Sequence, residues 1–309
     1  MSSVLLRGIV VSLIGILAAG CAAREDVGGR IAFESYRDGN AEVYVMEADG
    51  SNPVNLSNDP EYDGTPTWSP DGTRIAFTSE RGGATDVFVM DADGGNPNRL
   101  TDSEGFNVIP DWSPDGSKIL FASNRTYRLR LEGGELEVPG NAKLWFVDPK
   151  GENLTRLTSR LGLDLFGNWS PDGQSIVFMS VRDGNPEIYI LRPDKIEVNM
   201  TNNSASDLNP AWSPDGSQIA FMSDRSGDTE IYILDLDSQV LTNLTDDPAN
   251  DGDPAWSPDG RQIVFTSDRD GNIEIYMMAS DGSNLRRLTN DPADDIHPQW
   301  QPLPSSAAE

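Results

Sequence analysis

The sequence predicts an all-β protein, a six-bladed β-propeller with four short strands in each blade. Six Trp are spaced 44, 57, 43, 44 and 44 residues apart, and six Phe follow with spacings of 44, 44, 57, 43 and 44. Five of the Trp begin the pentapeptide Trp-Ser-Pro-Asp-Gly. A repeat of this length with four extended segments is typical of a propeller blade. The two series are Trp68, Trp112, Trp169, Trp212, Trp256 and Trp300, and Phe33, Phe77, Phe121, Phe178, Phe221 and Phe265.

Each repeat supplies its four segments in the same order. The first is Pro-x-Trp, as in Pro66-Thr-Trp68, and the second is Ile-Ala-Phe or a close variant, as in Ile75-Ala-Phe77. The third is β-branched and aromatic, as in Val87-Phe-Val-Met90, and the fourth ends in Leu-Thr, as in Leu100-Thr101. Ser-Pro-Asp-Gly is the turn between the first two, because Pro presets φ and Gly accepts the left-handed region. Pro lacks an N–H and fits the innermost strand, an edge that faces the channel.

The chain ends predict how the ring closes. Residues 31–56 contain the second, third and fourth strands of a blade but no first strand, whereas Pro298-Gln-Trp300 is a first strand with no blade after it. We therefore expect the C-terminal strand to complete the first blade by pairing near Ile31–Phe33. The predicted boundaries are an export signal at 1–20, a short tether at 21–29, the propeller at 30–302 and a tail at 303–309.

The N-terminus has the pattern of an export signal. Arg7 precedes an apolar run over residues 8–19, which ends in small residues and is shorter than the roughly 20 residues of a membrane-spanning helix. The sole Cys, Cys21, follows Leu17-Ala-Ala-Gly20 directly, and this segment resembles the bacterial lipobox. We expect an exported cell-envelope protein that is anchored to a membrane by a lipid on Cys21. An ordinary secretory signal with an incidental Cys is the alternative.

Composition narrows the possible functions. The 50 Asp and Glu against 23 Lys and Arg give a net charge of −27, which argues against nucleic acid as a partner. One Cys and one His allow neither an internal disulfide nor a zinc site of the usual spacing. A Ser-His-Asp hydrolase would have to use His297. We therefore expect no catalysis and no cofactor.

Two further residue series lie at the same end of the predicted blades. The first stands five positions before each Trp, and the second lies in the loop between the second and third strands, each member within Ser-x-Arg. The first series, the Asp ring, is Asp63, Asn107, Asp164, Asp207, Asp251 and Asp295. The second, the Arg ring, is Arg37, Arg81, Arg125, Arg182, Arg225 and Arg269. The topology places both around the mouth of the channel.

These rings allow three interpretations. The Arg and Asp residues could pair and lock neighbouring blades together, because buried carboxylates without partners are costly. Unpaired carboxylates could instead coordinate a hard cation such as calcium through oxygen ligands. A third possibility is that the mouth recognises a basic peptide or a polar ligand. A further acidic series just before the third strand is expected to partner nearby Arg; it comprises Glu42, Asp86, Glu187, Glu230 and Glu274, with Lys143 in the third repeat.

The long third repeat is the asymmetric feature of the ring. Residues 126–141 alternate polar and apolar residues on both sides of Gly133-Gly134, which predicts a hairpin inserted between the second and third strands. Loops accept insertions at low cost, so the hairpin could be a decoration of the surface. The alternative is a contact arm for a partner.

The combination of Trp-Ser-Pro-Asp-Gly, Ile-Ala-Phe-x-Ser-Asp-Arg and Glu-Ile-Tyr resembles the C-terminal propeller of the TolB family, over residues 30 to about 302. In that family an α/β domain comes before the propeller, whereas here only residues 22–29 stand between the export signal and the first blade. Similar blades cover the active site of prolyl-oligopeptidase-like peptidases, but no Gly-x-Ser-x-Gly occurs in this chain.

Together these observations predict a non-catalytic binding scaffold of the cell envelope, monomeric, whose partner is another envelope protein or a peptide. Two alternatives remain open at this point. One is a calcium-dependent hydrolase or lactonase with the metal in the channel, and the other is a structural component of the Tol–Pal type, which the resemblance implies.

Overall fold

All of the secondary structure that the structure describes is β-strand. This computed structural model describes residues 29–102, 105–131, 134–138 and 141–303, with side chains throughout except in 127–138. The predicted export signal, Cys21 and most of the tether lie outside these residues. Within them the chain forms six four-stranded antiparallel sheets and one two-stranded hairpin, which confirms the predicted six-bladed propeller. The described residues include no helix long and apolar enough to cross a bilayer.

From the channel outward, the first blade contains β26 (Asp295–Trp300), β1 (Arg30–Ser35), β2 (Glu42–Glu47) and β3 (Val54–Asn55), and the second contains β4 (Asp63–Trp68), β5 (Arg74–Ser79), β6 (Asp86–Asp91) and β7 (Asn98–Arg99). The third contains β8 (Asn107–Trp112), β9 (Ile119–Ser123), β12 (Lys143–Val147) and β13 (Thr155–Arg156), and the fourth contains β14 (Asp164–Trp169), β15 (Ile176–Ser180), β16 (Glu187–Leu191) and β17 (Glu197–Asn199). The fifth contains β18 (Asp207–Trp212), β19 (Gln218–Ser223), β20 (Glu230–Asp235) and β21 (Leu241–Asn243), and the sixth contains β22 (Asp251–Trp256), β23 (Gln262–Ser267), β24 (Glu274–Ala279) and β25 (Arg286–Arg287).

The C-terminal strand closes the ring as the sequence predicts. Strand β26 pairs antiparallel with β1, and its register places Trp300 opposite Ile31 and Asp295 opposite Ser35. The inner strands contact one another in chain order, and β26 contacts both β22 and β4. The two ends of the propeller are therefore joined by backbone hydrogen bonds within one blade.

The outermost strands are shorter than the repeat pattern suggests, which corrects one prediction. They contain two or three residues and end before the Leu-Thr pair, as β7 does before Leu100. The Leu100 N–H still donates to the Val87 carbonyl (2.8 Å), but the Val87 N–H donates to the hydroxyl of Thr101 (3.0 Å). A side chain replaces the backbone partner at this point, so regular pairing stops there.

The core lies between neighbouring blades. The repeated Phe are fully buried, and most pack at a tilt against a ring from the third strand of their own blade, as Phe33 does against Tyr44 with centroids 5.7 Å apart. The repeated Trp bridges to the preceding blade, since Trp68 packs with Val43 and Val45. The Phe and Trp series have parallel spacings because each of the six blades packs in the same way.

The inner strands each contain a β-bulge that the sequence pattern does not predict. The pairing of each with its neighbour shifts register three residues before the Trp. The residue there has a φ between 47° and 58°, a region that costs a non-Gly residue about 1–3 kcal/mol. Bulges re-aim side chains, and these face the channel. The six bulge residues are Thr65, Ile109, Phe166, Asn209, Asp253 and His297.

The insert of the third repeat forms the predicted hairpin. Strands β10 (Tyr127–Leu131) and β11 (Gly134–Val138) pair antiparallel and lie in sequence between β9 and β12. The register sets Arg128 opposite Glu137 and Arg130 opposite Glu135.

The closure strand generates a stability prediction. Trp300 is 6% exposed and packs against Ile31 and Phe33, whereas Leu303 is 46% exposed just beyond the strand. We expect Trp300→Ala to lower the free energy of unfolding by about 3–5 kcal/mol. Leu303→Ala is the matched control and should change it by less than about 0.5 kcal/mol. Urea denaturation of both variants tests this, and equal small losses would contradict the role of β26 in closing the ring.

Candidate functional site

The Asp ring is buried beneath the face at which the inner strands begin. Each member is the first residue of its inner strand, and every one of the six side chains is 0% exposed. Burial raises the pKa of Asp63, Asp251 and Asp295 above the ordinary range, although Ser and Arg partners oppose this shift. These carboxylates therefore need close partners within the protein.

The Arg ring supplies those partners. Arg37 contacts Asp295 at 2.9 Å, Arg225 contacts Asp207 at 2.8 Å, and the other pairs repeat this geometry. The full set also contains Arg81 with Asp63, Arg182 with Asp164 (2.9 Å), Arg269 with Asp251 (3.0 Å) and Arg125 with the side-chain carbonyl of Asn107 (2.6 Å). The predicted Arg–Asp pairing is confirmed.

The pairs lie within blades and not between neighbouring blades, which corrects the prediction. Asp63 faces Ser79 across adjacent strands, and Arg81 follows Ser79 by two residues, so the strand register brings Arg81 back to Asp63. The guanidinium Nε also donates to the Ser79 hydroxyl at 3.0 Å. Contact between blades comes instead from the backbone, where the Asp63 N–H donates to the Ala41 carbonyl (2.9 Å).

The third repeat departs from the ring pattern in a compensated way. Asn107 replaces Asp, and its amide donates to Asp86 of the preceding blade at 2.8 Å. Lys143 replaces an acid, and its ammonium contacts Asp164 of the following blade at 2.9 Å. A partner in a neighbouring blade thus compensates each change of charge. The members of the Asp and Arg rings keep their hydrogen-bond partners.

The acidic series before the third strand divides into two groups. Asp86 pairs with Arg99, and Glu274 pairs with Arg287 at 2.6 Å, as the sequence predicts. The remaining members accept hydroxyl and backbone hydrogen bonds instead of pairing with Arg; these are Glu42, Glu187 and Glu230. Among the described residues no group of three or more His, Cys, Asp or Glu side chains is arranged to hold a metal ion.

A buried carboxylate cluster that the sequence analysis missed lies between the first two blades. The Glu34 side chain is 1% exposed and accepts hydrogen bonds from the Tyr36 and Tyr62 hydroxyls and the Thr65 N–H. Its Oε2 lies 3.1 Å from His297 Nδ1. A Cβ at Gly64 would clash with this carboxylate. The detectable signal is that Glu34 replaces the Thr, Ala or Met of the other repeats; these are Thr78, Ala122, Met179, Met222 and Thr266.

The electrostatics of this cluster favour an ion pair. Burial opposes charge on His297, but Asp253 and Glu34 outweigh it and raise the pKa of His297 to about 9. Burial also opposes charge on Glu34, but the hydrogen bond and charge of His297 hold its pKa below the ordinary value. Near neutral pH the structure therefore pairs a glutamate with an imidazolium.

The loops on this face, which we call the ring face, carry an acidic rim. These are the loops between strands two and three and between strands four and one of successive blades. Of the side chains described in them, Arg160 is the one exposed base. The exposed acids are Asp38, Glu61, Glu80, Asp102, Asp183, Asp224, Asp228, Asp246 and Asp270. Five members of the Arg ring spend their charge mainly on buried carboxylates of the Asp ring, and Arg125 bonds the neutral Asn107.

The fold and the paired rings define a six-bladed propeller, a closed ring of four-stranded blades. The chain matches the family described as the TolB beta propeller domain over residues 9–136 and 195–307, which is more than half of its length. It therefore belongs to the TolB β-propeller domain family.

Individual relatives match shorter stretches. A TolB homolog of Chlorobium luteolum is 39% identical over 56 residues, which are 18% of this chain and 13% of that protein. The Tol-Pal system protein TolB of Bordetella pertussis is 49% identical over 39 residues, which are 13% of this chain and 9% of that protein. The matches thus span a small part of these relatives. The crystal structure of TolB from Acinetobacter baumannii superposes with a TM-score of 0.77 at 25% identity, over 90% of this chain and 68% of that one.

The Glu34–His297 pair predicts a pH-dependent stability. The folded protein raises the pKa of His297 from 6.5 to about 9, so its stabilisation is complete below about pH 6.5 and is lost as the pH rises through 9. We expect the free energy of unfolding to fall by at most about 3 kcal/mol between these limits. His297 is the only His of the chain, but Asp111, with a pKa raised to about 7 by burial, titrates in the same window, so a variant is needed to isolate the contribution of His297.

The measurement is urea denaturation between pH 6 and 9.5, with His297→Gln as the comparison. The Gln variant retains a hydrogen-bond donor for Glu34 but no titrating group, so its stability should vary less with pH. The same pH dependence in both proteins would show that His297 is not its source.

Proposed function

We propose that this chain is an exported cell-envelope protein whose propeller is a non-catalytic binding scaffold of the Tol–Pal type. The observation that carries the proposal is the acidic rim of the ring face, which is matched to a protein partner with a basic surface. Membership of the TolB β-propeller family supports a role in protein association, since one matched relative is a Tol-Pal system protein. The acids of this surface are already exposed in the structure.

The network below the rim supports a scaffold in preference to an enzyme. The buried acids of the Asp ring are held by arginines, serines or lysine, and the sole imidazole is bonded to Glu34. A group that is already paired and buried is poorly placed to act as a general base on a substrate at the face. The rim acids are exposed, and Glu61, Asp228 and Asp246 form no ion pair with another described residue, so complementary charge would raise the rate of association with a basic partner.

The test uses neutralisation of the rim. We expect Glu61→Gln, Asp228→Asn and Asp246→Asn together to reduce capture of the native partner from detergent-solubilised envelopes by about tenfold or more, as three lost charge contacts allow. The matched control neutralises three exposed acids on the opposite face, Glu47→Gln, Glu152→Gln and Asp237→Asn.

Capture is quantified by mass spectrometry at two salt concentrations. Binding by the wild type and by the control should weaken as salt rises, because exposed charges are screened beyond about 10 Å at 0.1 M. Equal capture by the rim variant and the control would refute the acidic rim as the docking surface.

We further propose that the protein is tethered to a membrane by a lipid on Cys21. The proposal is supported by the lipobox-like segment that precedes this sole Cys. A lipid chain stabilises membrane attachment by about 0.8 kcal/mol for each buried CH₂, so its loss should release the protein. Cys21→Ser should therefore move the protein from the membrane fraction to the soluble fraction. Cys21→Ser protein that still sediments with membranes in detergent-free extracts would contradict the anchor.

A further inference from the structure

The channel contains a cavity that neither the rings nor the rim explain. Its volume is about 210 Å³, and the inner strands of all six blades line it. At about 30 Å³ for each water molecule, this is room for roughly seven waters. A small organic molecule of similar size would fit, whereas ligands of drug size occupy larger pockets of about 300–1,000 Å³.

Aligning the six inner strands with one another distinguishes positions that maintain the blade from positions that face the channel. Every repeat has an acid or its amide five positions before the Trp. Two positions before the Trp, five repeats have Pro and one has Gly167. The bulge position between them has six different residue types in six repeats. Since all six share the same strained backbone, packing of the blade does not account for this diversity. The one feature that the six bulge side chains have in common is that they all face the channel.

The bulge residues are sorted by polarity around the channel. Ile109 and Phe166 lie on neighbouring blades and form an apolar wall, whereas Asn209, Asp253 and His297 lie on three successive blades and form a polar wall. The Asn209 amide donates to Asp253, and His297 Nε2 lies 3.9 Å from the Asp253 carboxylate.

The polar wall has an excess of negative charge. His297 supplies one positive charge between two carboxylates, and Glu34 lies closer to it than Asp253 does, at 3.1 Å against 3.9 Å. The carboxylate of Asp253 therefore remains without a full counter-charge in the cavity. A partly buried carboxylate in that position is stabilised by a cation that enters beside it.

A second carboxylate faces the cavity from the opposite blade. Asp111 belongs to the third blade, three steps around the ring from Asp253 of the sixth, and lies two residues after the bulge of its strand. Its carboxylate accepts the Trp169 N–H at 2.8 Å. Burial raises the pKa of Asp111 to about 7, so a cation beside it would promote its ionised form.

We propose that the channel is a binding site for a small linear organic cation with a positive group at each end, a diamine or an aminoguanidine. Its two ends contact Asp253 and Asp111, and its alkyl chain lies against Phe166 and Ile109. An inorganic cation fits less well, because calcium takes six to eight oxygen ligands and the described residues offer no such cluster. The site is separate from the acidic rim, so it can fail while the proposed partner surface holds.

Isothermal titration calorimetry at pH 7.5 and low salt tests the site with putrescine, agmatine and butylamine. We expect both dications to bind, and butylamine to bind about tenfold more weakly because it reaches one carboxylate. Asp253→Asn and Asp111→Asn should each reduce putrescine affinity by about tenfold or more. Asp237→Asn removes the same charge from an exposed turn on the opposite face and should leave the affinity unchanged.

A second measurement on the wild type does not depend on variants. Putrescine bound beside Asp111 lowers the pKa of that carboxyl, so binding at pH 7 should release protons, which titrations in buffers of different ionisation enthalpy detect. No heat with either dication, or equal affinities in Asp253→Asn and Asp237→Asn, would overturn the proposal. Tight binding of butylamine with no preference for putrescine would overturn the two-ended site.

Discussion

The pairing of a buried carboxylate with an arginine inside each blade is the interaction on which the rest of the structure depends. A side chain such as Asp295 has no solvent exposure, and removing one partner of such a pair costs about 3–5 kcal/mol because the other charge is left buried. Each pair ties the start of the inner strand to the loop between strands two and three. That link fixes the position of the inner strand relative to its neighbour, and therefore the position of the bulge that faces the channel.

Repetition makes this network tolerant of change at single blades. In the third repeat Asn107 and Lys143 replace acids, yet each finds a charged partner in a neighbouring blade, Asp86 and Asp164. In the first repeat Glu34 replaces an uncharged side chain and is accepted because Gly64 leaves room for it. The repeat therefore keeps its hydrogen bonds while single positions acquire a different charge.

The sequence predicts most of the fold because its information is periodic. Spacing alone identifies six blades, their strand order and the closing strand, and the Ser-x-Arg loops identify the partners of the Asp ring. The same periodicity could not say that each pair stays within a blade, since that depends on strand register. The Glu34–His297 contact joins residues 263 positions apart, and the bulges depend on backbone geometry that no residue type marks. Only the departure of Glu34 from its repeat could have drawn attention to it.

The division of charge inside the molecule explains how one strongly acidic chain can hold two kinds of negative surface. Five members of the Arg ring pair with buried carboxylates below the ring face, so those five positive charges do little to offset the exposed acids above them. In the channel a single imidazolium faces both Glu34 and Asp253, and the deficit of positive charge lies at the partly buried Asp253. Exposed charges at the rim are weakened by salt, whereas partly buried carboxylates in the channel are screened less. The rim is therefore suited to attracting a large partner over distance, and the channel to selecting a small cation by fit.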